Sequence, residues 1–152
     1  MVRLKHRYII AQALAVVGGK LIAPGDKTYP VSSRDLQACL REKIRELYGD
    51  VGLGEFGQAT YVKYLDARWS NIFIVKTTRE AQVKVHFAMT CVTELPSSSV
   101  ILRALGVSSC ARTCLASLRA QVAVHFAQAV LPEGDRKTAV AAVEGTLLGL
   151  EL

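Results

Sequence analysis

The segment Tyr8–Val17 reads YIIAQALAVV, with Gln12 its one polar residue. Successive residues of a strand point to opposite faces, so a run that is apolar at both parities needs cover on both sides. This run therefore demands a strand buried on two faces, and Gly18 and Gly19 end it. The rest of the chain has to supply the cover.

Arg3, Lys5 and Arg7 ahead of the run imitate the basic and apolar parts of a secretion signal. Gln12 interrupts the apolar part, and cleavage at the small-residue pairs Ala11/Ala13 or Ala13/Ala15 would leave too short a hydrophobic segment. The run is also shorter than the ~18 apolar residues of a membrane span. The expectation is a soluble chain, without membrane attachment, whose first strand begins near Arg7.

Downstream, Lys20–Val31 holds Pro24, Gly25, Asp26 and Pro30 and is expected as a surface loop. Ser32 with Asp35 offers a cap, and Leu36, Leu40, Ile44 and Leu47 predict a helix over Ser33–Tyr48, stopped by Gly49. Glycines follow at 49, 52, 54 and 57. Gly52-x-Gly54-x-x-Gly57 formally fits a dinucleotide fingerprint, but it leads into a strand where a helix N-terminus is required, so a flexible loop is expected. Gln58–Leu65 and Asn71–Thr77 are β-rich, and Asp66–Ser70 between them predicts an antiparallel hairpin. Thr77-x-x-Glu80 reads as a capping box, and Val83, Phe87, Cys91 and Leu95 form a stripe that predicts a helix over Arg79–Leu95. Val100–Leu105 is a short strand closed by Gly106. Ser108 or Ser109 then caps a third helix, with Leu115, Leu118, Val122 and Phe126 along one side up to Leu131. After a break at Pro132–Asp135, a weaker alanine-rich helix is expected over about 135–148.

This order is the split βαβ arrangement of α+β, ferredoxin-like or RRM-like domains: an antiparallel sheet with helices on one face, here with additional C-terminal helices. A single domain over 1–152 is expected, with its core over about 7–131. In the third major strand, Ile72 and Ile74 alternate with Phe73 and Val75, so both of its faces are apolar. The extra helices or a partner subunit are expected to cover part of the second face.

Fold class alone decides no function. His6, His86 and His125 are scattered. The four cysteines suggest no disulfide framework, and reduced thiols in an intracellular protein are expected. Cys110 and Cys114 lie four apart on one helical face and could begin a metal site if folding brought in Cys39 or Cys91; core thiols are the plainer reading. No Ser or Cys nucleophile sits in a recognisable elbow, and Glu42, Glu46 and Glu144 read as helix-surface carboxylates, so no catalytic constellation is borne by the protein. Base stacking on the sheet would call for aromatics on the third strand, where Phe73 stands alone and reads as core. Nineteen Lys and Arg against thirteen Asp and Glu leave a formal charge of +6, which suits polyanionic partners. Arg3, Lys5, His6 and Arg7, with Lys20 and Lys27 opposed by Asp26, can either bind phosphates or simply solubilise the terminus.

Met1-Val2-Arg3-x-Lys5-x-Arg7-Tyr8 resembles the opening of the fifth Pop (processing of precursor RNA) subunits shared by ribonuclease P and ribonuclease MRP. Val62-Lys63-Tyr64-Leu65-Asp66 is similar to that family's second strand, and Val75-Lys76-Thr77-x-Arg79-Glu80 to its junction between third strand and helix. Val107-Ser108-x-Cys110-x-Arg112-x-Cys114 resembles the start of its third helix, although Ser109 and Ala111 stand where the family usually has Gly and a larger aliphatic residue. The resemblance implies a non-catalytic protein of an RNA enzyme that removes the 5′ leader of precursor tRNA, or of its relative acting on ribosomal RNA precursors. It implies hydrolysis by the RNA and its Mg2+ ions, no cofactor on the protein, and residence in the nucleus and nucleolus. The implied partners are the catalytic RNA, a TIM-barrel subunit and a related small Pop-like subunit. By the matched positions, Arg3, Lys5 and Arg7 are the expected phosphate contacts and Arg79 and Arg112 the next, each of these two at a helix start. Lys63 and Lys76 either join them or only solubilise the sheet. The alternatives are a small metal-binding or enzymatic domain using Cys110, Cys114 and His125, and an oligomeric ferredoxin-like domain without a nucleic-acid partner.

Overall fold

The computed structural model describes residues 5–22, 31–65, 70–96, 98–128 and 133–148. Arg3, Lys27, residues 66–69 of the expected connection and residues 129–132 lie outside the described residues, while Glu133–Asp135 of the expected break are helical.

β1 (His6–Val17) runs through the middle of the sheet. It turns at Gly18–Gly19, whose φ values of 56° and 77° are the left-handed pair a tight hairpin needs, into β2 (Lys20–Leu21). Then come α1 (Ser33–Gly52), a π-helical turn over Leu53–Gly57, β3 (Tyr61–Leu65) and β4 (Ile72–Thr78). α2 (Gln82–Thr90), β5 (Glu94–Leu95), β6 (Ser98–Ser108), α3 (Ala111–Gln128) and α4 (Glu133–Leu148) complete the described elements. All pairings are antiparallel, in the order β3-β4-β1-β6-β5, with β2 attached to β1. This is the expected ferredoxin-like sheet.

β1 divides the interior by parity. Ile9, Ala11 and Ala13 join Phe73, Val75, Val100 and Leu102 beneath α1 and α2, where Leu36, Leu40, Ile44, Val85, Ala88 and Met89 are buried. Tyr8 and Ile10 join Ile72 and Ile74 on the other face, against Cys114, Leu118, Val122 and Phe126 of α3 and Ala139, Val143 and Leu147 of α4. The C-terminal helices thus cover the second face, as expected. Gln12 is satisfied, its Nε2 donating to the Ser70 carbonyl at 3.0 Å. A bulge in β6 lets Ile10 pair with Gly106 and Ala11 with Ala104, and the extra Leu105 packs against the α3/α4 cluster.

Several local expectations are corrected. Lys20–Leu21 forms a strand instead of opening a loop, because the two glycines make a hairpin turn. The first helix stops at Gly49 as expected, but no flexible loop follows it. Gly49, with φ 69°, breaks the helix, and helical backbone then resumes through Gly57. Phe56 draws that segment in: it is 3% exposed and meets the Tyr48 ring edge-on at a centroid distance of 5.3 Å, while a Cβ at Gly52 would run into Tyr48 Cβ. β3 begins at Tyr61 and not at Gln58.

The capping box at Thr77 does not form. Thr77 is buried in β4, with its hydroxyl 3.0 Å from that of Thr60; the Ala81 N–H donates to Thr78 Oγ1, and α2 starts at Gln82. α2 also ends earlier, at Thr90, and Leu95 belongs to β5. The helix faces the core with Val85, Ala88 and Met89, while Val83 and Phe87 of the expected stripe are 71% and 55% exposed. β6 is longer than expected, and Gly106 lies inside it.

Met89→Ala should lower unfolding free energy by about 2–5 kcal/mol through the lost burial and the cavity left behind. Val83→Ala should change it by less than about 0.5 kcal/mol. Urea titration of both variants checks which face of α2 is core.

Candidate nucleic-acid interface

The antiparallel ladder brings the start of β1 to the ends of β4 and β6. Arg7 pairs with Thr77, and Tyr8 lies between Lys76 on one side and Ser108 on the other. The Arg79 N–H extends the ladder by donating to the Lys5 carbonyl at 2.8 Å. α3 starts three residues after Ser108, so Arg112, its second residue, sits at the same end of the sheet. Tyr61, across from Lys76, opens β3, and Lys63 follows at the bulge between Val62 and Tyr64. The structure thus gathers Lys5, Arg7, Lys63, Lys76, Arg79 and Arg112 at one end of the sheet. Arg3 lies outside the described residues, and Lys20, paired with Val17, belongs to the opposite end. Arg79 is in the turn before α2, not at the helix start the sequence suggests.

Lys5, Lys63, Arg79 and Arg112 are exposed, and Arg7 and Lys76 are half-buried. Arg7 Nη1 donates to the His6 carbonyl at 3.1 Å, and Lys76 Nζ lies 5.8 Å from the centre of the Tyr8 ring. Among the described residues the ion pairs are Lys43–Glu46 and Arg45–Asp50, both on α1, and neither touches the cluster. Glu80, exposed beside Arg79, is the acid adjacent in sequence. Cations without carboxylate partners keep their full charge for an external anion.

The start of α3 differs from the expected serine cap. Cys110 is the residue that caps it: its carbonyl accepts from the Cys114 N–H, and its sulfur lies 3.2 Å from Thr113 Oγ1. The Thr113 side chain, then the Thr113 and Arg112 backbone N–H groups, stabilise the thiolate and hold the exposed Cys110 thiol below its ordinary pKa. One turn on, burial pushes the Cys114 thiol up to about 11. Tyr8 packs in the same buried cluster as Cys114, and its phenol pKa is raised by burial and then by the neighbouring Cys114 and Cys110. His125 stands edge-on to Phe126 and is ~22 Å along α3 from Cys110, too far to share a metal with it. Among the described residues no group of three or more His, Cys, Asp and Glu is placed to hold a metal ion. No described helix is long and apolar enough to cross a membrane.

The model of the Rpp14/Pop5 family matches residues 7–119, from the start of β1 into α3. The chain belongs to that family. It is 28% identical over 114 residues to the probable ribonuclease P/MRP protein subunit POP5 of Arabidopsis thaliana, covering 75% of this chain and 74% of the relative. It is 30% identical over 112 residues to the ribonuclease P/MRP protein subunit POP5 of Schizosaccharomyces pombe, covering 71% of this chain and 78% of that protein. In fold it is similar to a chain of the cryo-EM structure of yeast ribonuclease MRP, with a TM-score of 0.50, 11% identity, and coverage of 96% of this chain and 94% of that one. Within this Rpp14/Pop5 chain, α4 lies beyond the matched span yet packs into the second core.

Sequence reasoning missed Tyr61 as a member of this surface and Tyr8 as the buried ring beside it. Phe73 is core, as expected, at 1% exposed; the exposed ring is instead Tyr61 on the neighbouring strand. Only strand register shows that Tyr61, Lys76 and Tyr8 lie side by side.

At neutral pH, Cys110 should alkylate with iodoacetamide while Cys114 stays protected in the folded chain. Thr113→Val should shift the pH–rate curve of Cys110 alkylation to higher pH, because the hydroxyl that stabilises the thiolate is gone; stopped-time mass spectrometry reads both sites.

Proposed function

We propose that this chain is a non-catalytic protein subunit of ribonuclease P and ribonuclease MRP, acting in the processing of tRNA and rRNA precursors. It binds and braces the catalytic RNA, which carries the phosphodiester hydrolysis with its own Mg2+ ions, including removal of the 5′ leader of precursor tRNA. The observation that carries the RNA-binding part is the cluster of Lys5, Arg7, Lys63, Lys76, Arg79 and Arg112 at one end of the sheet, without a carboxylate partner among the described residues. Family membership and the names of the two relatives support the assignment to these ribonucleoproteins. Work on such RNAs implies a nuclear and nucleolar protein.

The protein partners in this reading are a TIM-barrel subunit and a related small Pop-like subunit. Val83 and Phe87 on α2, and Leu47 and Val51 at the end of α1, leave apolar side chains on two touching helices, and such surface supports docking to a protein neighbour. The metal-site alternative has little support, since Cys110 is exposed, Cys114 is protonated in the core and His125 is remote.

The triple variant Lys5→Ala, Arg7→Ala, Arg79→Ala should weaken binding to ribonuclease P RNA and reduce the slope of log K against log salt by about 2–3. Filter binding across a salt series measures both, and an unchanged slope removes these residues from the RNA interface. Val83→Asp with Phe87→Asp should leave the fold's melting within a few degrees and abolish co-purification with the TIM-barrel subunit on co-expression. Retained co-purification would exclude this surface as its dock.

A further inference from the structure

Tyr61 is an exposed aromatic residue at the cationic end of the sheet, 47% accessible. It pairs with Lys76, and Lys76 pairs with Tyr8. Residues directly opposite each other share a face, so the three form a row across β3, β4 and β1, on the face that α3 and α4 cover further along. Tyr8 is the buried end of this row, the Lys76 ammonium stands 5.8 Å from its ring centre, and Tyr61 is the open end.

The backbone on both sides of Tyr61 is pinned. Gln37 of α1 donates through Nε2 to the Thr60 carbonyl at 2.8 Å, and its Oε1 accepts from the Val62 N–H at 2.6 Å. The Thr60 hydroxyl is held in turn by the Phe56 carbonyl and by Thr77 Oγ1. Gln37 thereby fills the edge hydrogen bonds that an added strand would use, so what this position offers a ligand is the ring. A half-exposed ring on a pinned backbone, next to an ammonium group with no carboxylate partner among the described residues, suits a ligand that carries a flat π-face and a negative charge about one strand spacing apart.

We propose that Tyr61 and Lys76 form a subsite for an unpaired nucleotide, its base stacked on the Tyr61 ring and its phosphate on the Lys76 ammonium. The inference rests on the RNA-binding function above and narrows it to a single-stranded segment, because bases within a duplex are already stacked on one another. From Tyr61 the row crosses Lys76 and Tyr8 to Ser108, a span of ~14 Å, so a strand leaving the subsite that way runs towards Arg112 at the start of α3.

The test is fluorescence anisotropy of the full chain with a labelled oligomer of about eight uridines, and with a fully paired RNA hairpin, across a salt series. Tyr61→Ala should weaken the uridine oligomer about tenfold, leave its salt slope unchanged and leave hairpin binding unaltered. Tyr61→Phe should retain native affinity, and Lys76→Ala should flatten the oligomer slope by about 0.7. Unchanged oligomer binding by Tyr61→Ala, or an equal loss on both RNAs, overturns the subsite while the RNA-binding reading stands. A native chain that binds neither RNA overturns both.

Discussion

Burial of β1 on two faces is the interaction from which the architecture follows. Ile9 and Ile10, adjacent in sequence, are both fully inaccessible, one beneath α1 and α2 and the other beneath α3 and α4. Full burial of such a side chain contributes about 1.5–3 kcal/mol, so neither layer can be lost without exposing apolar surface on the central strand. A one-residue slip against β4 would exchange the two faces, setting Tyr8 where Ile9 packs beneath α1 and α2. The two cores therefore fix register jointly, each excluding the slips that the other would tolerate.

That register also makes the cationic surface. The apolar run begins at Tyr8, and the charged residues just before it cannot follow it into the core. They stay at the end of the sheet, where the antiparallel arrangement delivers the last residues of β4 and β6. The transition from buried to exposed is sharp: Tyr8 is 6% accessible, while Lys5 is exposed. Lys76 straddles it, half-buried against the Tyr8 ring with its charge at the surface.

The larger features were legible because they rest on strong periodicities. Two-sided apolarity in β1 and around Phe73, the strand and helix order, and the side of α3 bearing Leu118, Val122 and Phe126 all appear in the fold. The face of α2 was not legible. Val83, Phe87 and Cys91 compete with Val85, Ala88 and Met89, two stripes of similar apolarity, and the choice falls to which one meets α1 and the sheet. Thr77 illustrates a different limit: its pattern with Glu80 satisfies a capping rule, but pairing with Arg7 and contact with Thr60 keep it in the sheet. The glycine-rich stretch misled because its anchor, Phe56, is a single residue whose burial depends on Tyr48 across the Gly49 break. At the candidate site, four spaced motifs indicated the cations, whereas the Tyr61 row depends on cross-strand register, which a linear pattern does not encode.

The charge of +6 is distributed unevenly in a way that separates stability from binding. On α1, Lys43 and Arg45 are tied to Glu46 and Asp50 by surface pairs, which add little to folding but neutralise the helix locally. At the sheet end the cations have no such partners among the described residues, and the exposed ones make no contribution to the two cores. Their mutual repulsion is tolerated because solvent and salt screen it, and it is relieved when a polyanion arrives and displaces counterions. Removing those side chains therefore costs binding while leaving the packing that positions them intact. Substitutions at Tyr8 or Ile10 act the other way, disturbing the fold first and the surface only as a consequence.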